Sequence, residues 1–203
     1  MLIVDHLAFA ASSLEEGRTW LEEKLGLPLQ AGGQHARYGT HNLLMGMEDG
    51  LYLEVIAIDP AAPAPATPRW FDLDNFVGAP RLANWIARTN ALDAMKAAMP
   101  EVGETVALAR GDLAWRMAVP ASGALPLDGG LPSLIQWDCE AHPAQRLTPQ
   151  TLRLDALFIR HPHAAEIEHR LAPLLNDPRI RFEPAAAPVL SATFQTPKGR
   201  VTL

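Results

Sequence analysis

Two stretches of the chain put titratable side chains where an ordinary core strand would not. In "LYLEVIAID", residues 51–59, Glu54 stands in an otherwise apolar run. Strand neighbours alternate between faces, so Tyr52, Glu54, Ile56 and Ile58 share one side, and neither side reads as solvated. A carboxylate held there shifts its pKa, pairs with a cation or binds a metal. In "LIVDHLAFAA", His6 follows Asp5 on an equally apolar strand. An imidazole can ligate or move a proton once its second nitrogen is oriented, or it can bond a core carbonyl. "GTHN" adds His41 and Asn42 at a strand entrance; alternation lets only one of them face the same side as Glu54. Glu54 and His41 are the candidates for acid–base work, with Asn42 beside them as a substrate contact. Arg88 can grip a carboxylate or enolate, or form a salt bridge to Glu54 itself.

The elements that would position these groups recur. A short apolar strand is followed by a helix opened by Ser13 with Glu16 three residues on and ended at Gly26. Three strands follow, near 29–38, 41–47 and 51–58. Residues 60–80 begin with "PAAPAPATP", which can hold neither ladder nor helix and reads as a linker. The order returns in 81–140: strand "RLANWIART", a helix capped by Asn90, a hairpin through Gly111-Asp112, and a last strand "LPSLIQW". A third pass occupies 150–203. Its "HPHAAEIEH" holds three histidines that do not share one helical face, so a solvated helix start is expected rather than a metal site. With His6 inward, the matching residues of the later passes are Asn84, with Trp85 packed on the helix, and Ala156.

Composition narrows the classes. The 203 residues are 48% hydrophobic with a formal net charge of -6, enough for a real core and without the basic footprint of a nucleic-acid or membrane-surface protein. One cysteine, Cys139, excludes an internal disulfide framework. No signal-peptide pattern opens the sequence, so a cytoplasmic protein is expected. Its expected partner is a small molecule, neither nucleic acid nor membrane, and a homodimer is compatible with it.

The stretches "VDHLAFAASSLEEGRTWLEEKLGL", "GTHNLLMGMEDGLYLEVIAIDP", "NWIART" and "LPSLIQWD" resemble the glyoxalase-like domain branch of the vicinal oxygen chelate superfamily, the fold of glyoxalase I and extradiol dioxygenases. The resemblance implies an α+β fold in which two β-α-β-β-β modules form an incomplete barrel around a cup. A partial third module would pack beside them, cover a mouth of the cup or form a dimer surface. It also implies a lyase, isomerase or dioxygenase-like enzyme acting on a small carbonyl or enol compound, with a divalent metal such as zinc, nickel, manganese or iron. Carried over by position, His6, Glu54 and Gln136 would be the ligands, and Asn42, Asn84, Arg88 and Trp137 would meet the substrate. A ligand set this thin keeps a metal-free sequestration protein as the alternative. A cup filled by its own side chains would make the chain a structural module instead.

Overall fold

The computed structural model describes residues 1–203, the side chain of Asp49 excepted. The first module runs β1 (Ile3–Ala10), α1 (Leu14–Leu25), β2 (Gln30–His35), β3 (Thr40–Gly46) and β4 (Tyr52–Ile58). Ser13 caps α1 by accepting the Glu16 N–H at 3.1 Å, and Gly26 ends it in the left-handed region at φ 73°. Gly17 sits on the buried side of α1, where a Cβ would collide with Val55 and Ala11, so only glycine lets the helix lie this close to β4.

The second module repeats the order as β5 (Arg81–Arg88), α2 (Leu92–Ala98), β6 (Glu104–Arg110), β7 (Leu113–Val119) and β8 (Ser133–Trp137). Asn90 does not cap α2. Ala91 occupies that position, and Thr89 Oγ1 accepts the Ala91 N–H at 3.1 Å. The eight strands form one sheet in the order β2-β3-β4-β1-β5-β8-β7-β6, curled into a half-barrel whose two halves meet where β1 runs antiparallel to β5.

At that seam the register shifts between Val4 and His6: Val4 faces Ala87 and His6 faces Ile86, which leaves Asp5 as an extra residue. Such a bulge turns two successive side chains to one face. Val4 and Leu7 pack in the core shared with the helices. Asp5 and His6 therefore both point into the cup.

After a short helix, α3 (Pro143–Arg146), the third pass contains β9 (Arg153–His161), α4 (Ala164–Leu171), β10 (Ile180–Pro184), β11 (Val189–Thr196) and β12 (Gly199–Thr202). Its element order matches the other modules, but its sheet runs β10-β9-β11-β12, with β9 inside rather than at one end. Leu154, Leu157, Ile159 and Phe194 join the same core as Leu7, Leu21 and Trp85, so this sheet packs against the helix side and not over the cup. The cup is covered by connections instead. The Pro-rich crossover brings in Trp70 and Phe71, and the segment before β9 brings in His142 and Pro143. No helix among the described residues is long and apolar enough to cross a membrane.

Candidate active site

Asp5 is fully buried yet surrounded by donors. Its Oδ1 accepts from His6 Nδ1 at 2.6 Å; its Oδ2 meets His142 Nε2 at 2.9 Å, Trp137 Nε1 at 3.1 Å and an Arg88 guanidinium nitrogen at 3.4 Å. Burial alone would raise its pKa, but the bonds from His142 and His6 hold the carboxyl well below the usual range. His142 Nδ1 accepts the Ala144 N–H, so its Nε2 carries the proton given to Asp5.

His6 stands between two acids. Its Nε2 lies 3.5 Å from Glu54 Oε2, and its ring stacks on Tyr52 with centroids 4.4 Å apart. Burial opposes the charged imidazole, but Asp5 and Glu54 prevail and push its pKa up to about 9. Glu54 is held below the usual carboxylate range: burial works against this, and His6 and Asn42 outweigh it. Asn42 Nδ2 donates to Glu54 Oε1 at 2.6 Å, while its Oδ1 accepts the Gly33 N–H at 2.7 Å. These bonds fix which way the amide points.

Glu54, His6 and Asn42 open on a narrow cavity of about 40 Å³. The cup's own side chains take up most of it, and the space that remains is that of a few waters. Its walls are largely aromatic, with Tyr52, Trp70, Phe71, Trp115 and Trp137 among the lining residues, and His35 and Arg110 complete the polar part. Trp70 stacks between Tyr38 and Phe71 and donates to Thr40 Oγ1 at 3.2 Å. Burial chiefly, with Arg110 and His6 adding to it against Glu54, pulls His35 down to about 4, so it stays neutral near pH 7.

Of the residues the sequence singled out, His6, Asn42, Glu54 and Trp137 meet at this cavity, and the others do not. His41 lies on the opposite side of β3 from Asn42, with Nδ1 3.9 Å from Asp59. Asn84 is buried on the cup side of β5, bonded to Ser133 Oγ at 2.9 Å, and does not line the cavity. Arg88 faces Asp5 rather than Glu54, and its free side lines a separate cleft with His142 and Gln145. Gln136 falls between Ile135 and Trp137, which both face the cavity, and so points away; its Oε1 accepts the Leu92 N–H at 3.1 Å and caps α2. His163 and His169 are exposed and His161 is buried, away from the cavity.

This arrangement tests the metal expectation. With Gln136 turned outward, His6 Nε2 and Glu54 Oε2 are left as two donors. His35 Nε2 is already 3.5 Å from both the Asn42 amide and the Arg110 guanidinium. Among the described residues no three His, Cys, Asp or Glu side chains are grouped so that they could hold an ion. An imidazole with so raised a pKa must also lose a proton before it can ligate. The residues present do not fit a divalent metal centre.

The sequence reading missed Asp5 as a site residue, along with Trp70, Arg110 and His142. Asp5 is hidden by the bulge, which breaks the alternation rule. The others come from connections or from strands 75 or more residues away in some pairings, and no local pattern marks them.

Two antiparallel-joined β-α-β-β-β modules around a cup with a histidine and a glutamate at its floor define a protein of the vicinal oxygen chelate superfamily. The glyoxalase-like domain family matches residues 4–175, and the chain belongs to it. No curated protein matches the chain. Among solved structures, a hypothetical protein from Staphylococcus aureus is similar with a TM-score of 0.60 at 14% identity, covering 93% of this chain and 88% of that one. Methylmalonyl-CoA epimerase from Mycobacterium tuberculosis is similar at 16% identity with a TM-score of 0.44, covering 66% of this chain and 85% of the epimerase. These likenesses concern the fold.

Proposed function

We propose that the protein is an enzyme moving a proton on a small carbonyl or enol compound, with Glu54 as the base and His6 as the group that meets the developing oxyanion. The observation that supports this reading is that Glu54 Oε2 and His6 Nε2 lie 3.5 Å apart on one cavity wall. At that separation the His6 N–H is only weakly engaged and free to turn to a substrate oxygen. Glu54 Oε2 takes a proton from the carbon next to the carbonyl. The C–H electron pair becomes the C=C bond of the enol, and the carbonyl π pair moves to oxygen, where His6 Nε2–H donates to it. Returning the proton to the other face or to the neighbouring carbon gives an isomerisation; losing a leaving group from the next carbon gives a lyase. Asn42 holds Glu54 in place, and Asp5 holds His6 charged. The metal-dependent version, with zinc, nickel, manganese or iron on His6, Glu54 and Gln136, lacks its third ligand here.

Proton NMR in D₂O over a panel of small carbonyl compounds is the test. The expected result is α-proton exchange that falls about 10²–10⁴-fold in Glu54→Gln. Equal exchange in the variant sinks the assignment. One observation favours a sequestration protein instead: the bonds from His6 and Asn42 hold Glu54 low and weaken it as a base. Quenching of the cavity tryptophans by a ligand that undergoes no exchange would select that reading.

A further inference from the structure

We infer that the ligand of this cavity carries a carboxylate, held by Arg110, with its reacting carbon beside Glu54. The inference rests on the cavity being a small-molecule site and deepens the reading above. Arg110 ends β6, in the second module, and crosses to β2 and β3 of the first. Its guanidinium contacts are long and neutral: Asn42 Oδ1 at 3.4 Å and His35 Nε2 at 3.5 Å. Other arginines of the chain sit on acids, as Arg69 does on Asp74, Arg116 on Asp138, Arg146 on Asp112 and Arg170 on Glu101. Arg110 lines the cavity, and among the described residues no carboxylate forms an ion pair with it. A planar fork of donors without an anion, facing an aromatic-walled cavity, is built to take a carboxylate in two parallel bonds.

The surroundings hold that fork in place. Gly33 leaves room for it, since a side chain there would run into the arginine stem. His35 Nδ1 pairs with Thr40 Oγ1 at 3.1 Å, which directs the Nε2 lone pair toward Arg110. Arg110, Leu44 and Pro143 line both the inner cavity and an outer groove, so the guanidinium stands at the passage between them. Asn42 then sets the spacing. One end of its amide contacts Arg110 and the other bonds Glu54, so the anion site and the base are one amide group apart. A carboxylate on Arg110 leaves the chain beyond it next to Glu54, which suits a 2-oxo acid, whose removable proton is on the carbon after the carbonyl, or its enol.

Pyruvate, whose methyl protons can exchange, and its neutral amide are a matched pair for testing this, with affinity read from tryptophan fluorescence and exchange from proton NMR in D₂O. The expected result is a preference of tenfold or more for the carboxylate, shrinking below threefold in Arg110→Met and surviving in part in Arg110→Lys, which keeps charge without the fork. Glu54→Gln should lose proton exchange and keep the preference. If no exchange occurs in any protein while the preference and its dependence on Arg110 persist, the anion site stands and the proton-transfer reading falls. Equal affinity for the two probes, binding of neither, or an unchanged preference in Arg110→Met overturns the inference.

Discussion

Strand β1 and strand β9 carry the same local device with opposite outcomes. In β1, Val4-Asp5-His6-Leu7 places Asp5 at a bulge against β5; in β9, Leu154-Asp155-Ala156-Leu157 places Asp155 at a bulge against β11, where Ala156 faces Thr193 and Leu154 faces Phe194. Strand β5 bulges at the matching place too, at Ala83 beside Asn84. Asp5 is fully buried among His6, His142, Trp137 and Arg88. Asp155 is 19% exposed in its side chain and meets Gln195 Nε2 at 2.7 Å and two surface arginines. The backbone device is therefore not the site. A second module and two connections folded over it make it one, by removing water and supplying partners that a surface aspartate never gathers.

The comparison can be broken most directly by removing each aspartate. Asp5→Asn leaves the His6 cation beside Glu54 without its main anion and should cost about 3–5 kcal/mol, as breaking a buried pair does. Asp155→Asn should cost under about 1 kcal/mol, as for a partly exposed pair. Urea midpoints at unchanged slope measure both, and equal losses would show that the cover is irrelevant.

A pH series sharpens the contrast next. The folded pKa of His6, about 9, lies above its ordinary 6.5, so its share of stability is complete below about 6.5 and is lost as pH rises through 9. That of His35, about 4, lies below 6.5, so its share is present above 6.5 and is lost as pH falls toward 4. Asp5 and Glu54, both held low, add to the acid loss. Each limb should amount to something on the order of 3 kcal/mol, which is 1.36 kcal/mol per pKa unit over the two shifts. A flat profile between pH 6.5 and 9 would show that His6 is not held as a cation.

Smaller again is His142→Ala, which removes the donor that the covering segment gives Asp5. A loss of about 1 kcal/mol is expected, together with a shifted His6 titration by NMR. An unchanged His6 titration would separate the cover from the acid pair.

Much of the framework was legible along the chain, because its signals are local. Ser13 and Gly26 bound α1 through capping and left-handed geometry, and the repeated strand–helix–hairpin order set two matched modules. Glu54 could be recognised as out of place because an acid in an apolar strand needs a partner, and His6 stood at the corresponding near end. The choice between His41 and Asn42 was open, since alternation says that one faces inward without saying which. The third pass shows the limit of element order: the same succession of strands and helix gives a sheet with β9 inside it.

By itself the sequence determined the modules, the faces of most strands and the two groups that face each other across β1 and β4. Periodicity and capping act between residues a few positions apart, which a single chain displays. The tertiary structure alone decided that Asp5 joins His6, that Gln136 caps a helix, and that Arg110, His35 and Trp70 close the cavity. One extra residue in a ladder reverses a face, and contacts between distant segments follow from how sheets curl and connections cross, which no local spacing encodes.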